Sequence, residues 1–170
     1  EGLTEIKTPL ELDGFYFAFR VFIRNTRFEG MFTLQHAQFA EGLTAVDCVI
    51  EEGLLARDGN FGSNTLFFKC HFIWMTSFRD AKFENANFRR ANFKKDCDFM
   101  DAEFVEEASF KDSTFTASVG FDRAKFRGVT SFDLAAASSA AVPISFQDAK
   151  FFKHPPRFFG RALHEDTDWT

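Results

Sequence analysis

The chain has 170 residues, is 45% hydrophobic and carries a formal net charge of −5. That length is one domain, and the mildly acidic balance argues against a nucleic-acid binder, which shows a basic stripe. No 18-residue apolar run exists to form a membrane-spanning helix, and three cysteines (Cys48, Cys70, Cys97) at no metal or disulfide-framework spacing point to a reducing compartment.

Residues 1–22 are read as a strand-like N-terminal cap. In "TPLELDGFYFAFRVF", Phe15, Phe17 and Phe19 alternate with the period of a strand and are expected to cover the first coil. Phe17 and Phe22 are the outermost candidates for the repeat that follows. The chain begins at Glu1 rather than Met, as a trimmed piece of a longer protein would.

From 23 to 133 the sequence repeats. In "FRDAKFENANFRRANF", Phe78, Phe83, Phe88 and Phe93 recur at every fifth residue. Five fits neither the helix period of 3.6 nor the strand period of two. The series runs forward through Phe99, Phe104, Phe110, Phe115, Phe121, Phe126 and Phe132, in steps of five and six. It runs back through Phe72, Phe67, Phe61, Leu55, Ile50, Phe39 and Phe28, with weaker members at Leu34 and Ala45. Two residues before every centre from Phe67 to Phe132 stands a small side chain, from Thr65 and Cys70 to Ala124 and Thr130. Each unit therefore points two side chains inward across a three-residue strand and then turns a corner. Stacked strand-and-corner units make a β-solenoid.

"LAAASSAAVPI" interrupts the pattern, so 134–145 is read as an inserted loop or short helix. The repeat resumes with Phe146 and Phe151, and Phe158, Leu163 and Trp169 again follow steps of five and six. Residues 146–170 are thus the last repeat coil or coils. The repeat is still running at the end, as it would if a natural C-terminal region were missing.

"ANFRRANF" and "AKFENANF" resemble the pentapeptide-repeat proteins, in their Phe-centred bacterial form, strongly over 28–132. The resemblance implies an all-β fold: a right-handed, quadrilateral parallel β-helix of about six to seven coils, one pentapeptide to each side, with 21–22 residues per coil. Four units per coil predict the inward stacks Phe28/Ile50/Phe72/Phe93/Phe115, Leu34/Leu55/Phe78/Phe99/Phe121, Phe39/Phe61/Phe83/Phe104/Phe126 and Ala45/Phe67/Phe88/Phe110/Phe132. Coils should lie about 4.8 Å apart. Cys48 and Cys70 then fall one coil apart in one inward column, as two small buried thiols. "PPRFFGRALHEDTDW" resembles the closing segment of family members that continue into a helical and sometimes membrane-spanning region.

Little in the sequence points to chemistry. His36, His71, His154 and His164 share no ligand spacing, so no metal or other cofactor is expected. Carboxylates such as those of "DCDFMDAEFVEE" occupy outward positions, where a convex rod offers few clefts to perturb them. The chain is read as no enzyme. Two surface features stand out. Phe68, Ile73 and Trp74 form a candidate apolar interaction patch near one corner, unless the six-residue step folds Ile73 or Met75 back over the core. Arg89, Arg90, Lys94 and Lys95 form a candidate basic corner. Asp80, Glu84, Asp98, Asp101, Glu103, Glu106 and Glu107 bias the adjoining faces acidic.

The leading expectation is a cytoplasmic, non-catalytic scaffold whose flat β faces meet an unknown protein partner, without direct nucleic-acid binding. Tethering to a membrane through a missing C-terminal region and end-to-end homodimerisation at the C-terminal end are further expectations. The alternative, implied by the resemblance, is a DNA-mimicking binder of a topoisomerase (gyrase) of the quinolone-resistance type; the small net charge and the basic corner weigh against it. An ice-binding face would need ranks of outward Thr, which the sequence lacks.

Overall fold

A three-residue strand followed by a corner can bury its two inward side chains only if another turn lies above and below it, so the units stack. The computed structural model of the protein, which describes residues 2–137 and 143–159, shows this stacking throughout. Its 27 strands, two to four residues each, are all parallel to their neighbours and fall into four sheets. Three sheets have seven strands and the fourth has six, extended by a bridge from Ser131 to Arg157. Four sides to a turn make between six and seven turns of an all-β solenoid.

The register follows the inward residues. On the first face Ile6, Phe28, Ile50, Phe72, Phe93, Phe115 and Ala137 are ladder partners in succession. Most of these steps are 22 residues, as from Phe28 to Ile50, and the step from Phe72 to Phe93 is 21. Phe17, Phe39, Phe61, Phe83, Phe104, Phe126 and Phe151 line the third face. The rings stack face to face between turns, as in Phe72–Phe93 (4.8 Å between centroids, 3° between planes) and Phe104–Phe126 (4.7 Å, 3°). Rings from the opposed second and fourth faces meet edge-on across the bore, as in Phe88–Phe99 at 79°. Both are favoured arrangements for aromatic quadrupoles. All twelve phenylalanines from Phe72 to Phe132 in the expected stacks are buried, with 1% exposure or less.

The second face departs from the expected stack. Leu54, not Leu55, is the inward strand residue, paired with Phe32 and Thr76; Leu55 points outward opposite Thr33 and Ser77. Ala56 then takes the place occupied by Leu34 below and Phe78 above, and is fully buried. The extra residue is Gly53, at φ 111° on the corner, which makes the step from Ile50 six residues rather than five. A large side chain at the usually small position and Ala at the usually large one exchange volumes, so the interior stays filled.

The N-terminal stretch is itself a turn of the solenoid rather than a separate cap. Thr4–Ile6, Leu10–Glu11, Tyr16–Phe17 and Val21–Arg24 each pair in parallel with the next turn. Phe17 is inward and stacks on Phe39 at 4.8 Å. Ile23, not Phe22, is the inward residue on the fourth face, and Phe22 is exposed. The interruption is shorter than expected. Ala135 is buried, Ala136–Ala137 is a strand of the first face, and Ile144–Ser145 is a strand of the second. A loop or helix at 138–142 lies outside the described residues, as do Leu163 and Trp169; Phe158 stacks on Phe132 at 5.3 Å.

The alternation of five and six has a geometric cause. Leaving the second and fourth faces, the chain turns through a tight hydrogen-bonded corner, as in Ala81 N–H to the Phe78 carbonyl (3.1 Å) and Ala91 N–H to the Phe88 carbonyl (3.0 Å). The third residue of each such corner has positive φ: Asp58, Asp80, Asp101 and Arg123 on one edge, Asp47, Lys69, Arg90 and Asp112 on the other. Asp and Asn tolerate that conformation best among residues with a side chain. The other two corners are wider and mostly hold the extra residue.

Cys48, Cys70 and Cys97 are free and fully enclosed. Cys48 and Cys70 adjoin in the inward file of the first face. The hydrogen bond from Cys70 holds the Cys48 thiol down, to about 7, while donating that bond and burial push Cys70 up. Burial likewise raises Cys97 well above the ordinary thiol range. Access decides reactivity here. We expect no thiol to react with an aromatic disulfide reagent in the native protein and all three to react once it is unfolded. Fast labelling of the native protein would contradict this burial.

Candidate interaction ridges

Outward side chains form files along the rod, one residue per turn. Many charged members are tied to the turn above or below. Arg27 pairs with Glu51 at 2.7 Å, Arg123 with Asp101 at 2.5 Å, Arg127 with Glu103, and Arg157 with Asp133 at 3.1 Å. Hydrogen bonding from Arg123 and Arg127 holds Asp101 and Glu103 below the usual carboxylate range. The first three pairs are largely solvent-accessible, so each adds little to stability; in the fourth, Asp133 is buried. Together they leave the acidic bias expected at Asp98, Asp101 and Glu103 largely matched by arginines.

The candidate apolar patch divides between two corners. Five residues are one side of the solenoid, so Phe68 and Ile73 stand at opposite edges of the first face. Phe68 is half-buried at the edge shared with the fourth face, where Lys69 lies 5.4 Å and Arg90 5.9 Å from its ring. Ile73 and Trp74 occupy the edge shared with the second face, together with Met75. The six-residue corner does not fold them back: they are 37%, 54% and 49% exposed.

The basic corner divides in the same way. Arg89 and Arg90 belong to the Phe68 edge and both reach Asp112, at 3.4 and 3.9 Å. Lys94 and Lys95 belong to the Trp74 edge, one turn above it. Lys95 Nζ sits 5.6 Å from the Trp74 ring, and neither lysine has an ion pair among the described residues. Between the two edges the first face presents Val49, His71, Asn92 and Thr114 in one outward file.

Met75, left open by the sequence as a residue that could fold inward, is outward and completes the Ile73–Trp74 ridge. Phe15 and Phe19, expected to cover the first coil, do not, because only Phe17 of that alternating set is an inward ladder residue. The first turn presents Phe15, Tyr16, Phe19 and Phe22 outward, all more than half exposed. Open depressions beside them are lined by Tyr16, Asn60, Lys82 and Glu84 on the third face and by Arg20, Phe22, Arg24 and Asn87 on the fourth. Among the described residues, no three His, Cys, Asp or Glu side chains converge as a metal-holding group. No helix there is long and apolar enough to cross a membrane.

No curated protein and no solved structure matches the chain. The family model for pentapeptide repeats matches residues 76–116, in eight copies. That segment lies wholly within the regular turns, where small and Phe residues alternate as inward partners. Residues 76–116 thus match the pentapeptide-repeat family, and the described residues as a whole form a four-sided, all-β parallel solenoid.

Proposed function

We propose that the protein is a non-catalytic scaffold that docks a protein partner on the rigid side of its solenoid. The observation that carries this reading is the first face itself. A flat parallel sheet is bordered by one edge bearing Phe68 with Lys69 and Arg90 and by another bearing exposed Ile73, Trp74 and Met75. Aromatic and basic side chains on a fixed frame are the usual anchors of protein interfaces. A frame that need not reorganise also loses less on binding. The duplex-mimicking alternative is the weaker reading, because Asp98, Asp101, Glu103 and Asp112 all face arginines one turn away.

The test is affinity capture from lysate, followed by titration of the purified captured protein. The wild-type chain is compared with a Phe68→Ser, Ile73→Ser, Trp74→Ser variant whose β-rich circular dichroism is unchanged. Saturable binding weakened at least about tenfold in the variant supports the reading. Equal binding by both forms moves the site off this face. Substrate turnover by the purified chain would overturn the non-catalytic assignment.

A further inference from the structure

The edge between the first and second faces carries a pattern that points to a second copy of this chain. Ile50, Phe72 and Phe93 are successive ladder partners, and each is followed by a six-residue corner. The residues two places beyond them, Glu52, Trp74 and Lys95, therefore stand in one file on three successive turns. The file reads acid, indole, base. Its neighbours Ile73 and Met75 widen the apolar middle. Glu51 is already bound to Arg27, whereas Glu52, Lys94 and Lys95 have no ion pair among the described residues; Lys95 Nζ leans toward the Trp74 ring at 5.6 Å and stays free to meet a carboxylate. All three file members are exposed.

Such a file is complementary to its own reverse. A two-fold axis through the Trp74 turn, perpendicular to the rod, lays indole on indole. It brings Glu52 of each copy opposite Lys95 of the other, because acid and base lie one turn, about 4.8 Å, on either side of the axis. Two-fold interfaces require this self-complementarity. We propose that the chain forms an antiparallel, side-by-side dimer through the Glu52–Trp74–Lys95 edge. The proposal goes beyond the scaffold reading and can fail without it. A convex edge buries less than a standard interface, so the dimer is weak and concentration-dependent.

Charge reversal tests it, since these outward residues can change without disturbing the interior. Sedimentation velocity of the full chain should show association rising with concentration. E52K alone and K95E alone should each weaken it at least about tenfold, because each places like charges opposite one another twice. An equimolar mixture of E52K and K95E should associate again, as should the double variant E52K/K95E. The dimer is overturned if the wild-type chain stays monomeric at every concentration, if K95E associates as well as the wild type, or if the mixture does not pair.

Discussion

Phe88→Ala lowers the stability of the protein by about 3–5 kcal/mol. Phe88 is fully buried. Its ring stacks on Phe67 below and Phe110 above, each at 5.2 Å. It also meets Phe78 and Phe99 edge-on, each at 5.3 Å. Removing it therefore takes a ring contact from four neighbours at once, two along the file and two across the bore. The surroundings cannot close over the gap, because the wall is backbone held turn to turn, with Phe88 N–H on the Ser109 carbonyl at 2.7 Å and Arg90 N–H on the Lys111 carbonyl at 3.0 Å. The cost should sit near the upper part of the range for that reason. Urea unfolding followed by circular dichroism measures it. Phe19→Ala, at a position 66% exposed, is the matched control and should shift stability by about 0.5 kcal/mol or less. A loss at Phe88 no larger than at Phe19 would mean that the interior is far less closely packed than described.

Gly128→Ala should be the second large loss, about 2–3 kcal/mol. Gly128 lies on the corner between the third and fourth faces. A Cβ there would fall 1.9 Å from the Glu106 carbonyl oxygen and 2.3 Å from its carbon. That obstacle is main chain, and Glu106 is fixed from below by its N–H on the Glu84 carbonyl at 2.8 Å. The two stacked corners cannot move apart without straining the ladder bonds of the strands that flank them. Gly120→Ala is the contrast: its nearest neighbour would be an Asp98 carboxylate oxygen at 3.8 Å. That change should be neutral or slightly stabilising, since Ala restricts the unfolded chain more than Gly does. Equal unfolding midpoints for the two variants would refute the steric account of the corner.

Three of the four inward files could be read from the sequence, because Phe at steps of five and six leaves one register open. The second face could not. "GLLAR" offers two adjacent leucines, and only the position of Gly53 on the corner decides that Leu54 points inward and Ala56 takes the centre. The first turn was missed for a related reason: Ile6, Leu12, Phe17 and Ile23 face inward beside Leu10 and Val21, so the small-then-large signature is absent. The interaction ridges were half legible. Exposed Trp and Lys could be named from the strict repeat, but their edge could not. Grouping them needs the rule that five residues are one side, which separates Phe68 from Ile73 and joins Trp74 to residues 22 earlier and 21 later.

The four-sided parallel ladder also sets the kind of change this chain can absorb. Loss or gain of a whole turn alters only the length of the rod, by one layer, and leaves every later side chain facing as before. Loss of a single five-residue side does something else: everything downstream is rotated by a quarter revolution about the axis. When the loss falls between its members, a file such as Glu52–Trp74–Lys95 comes apart onto different faces, although no residue in it has been replaced. For this molecule sequence length is thus an angular coordinate, and insertions act on recognition as rotations.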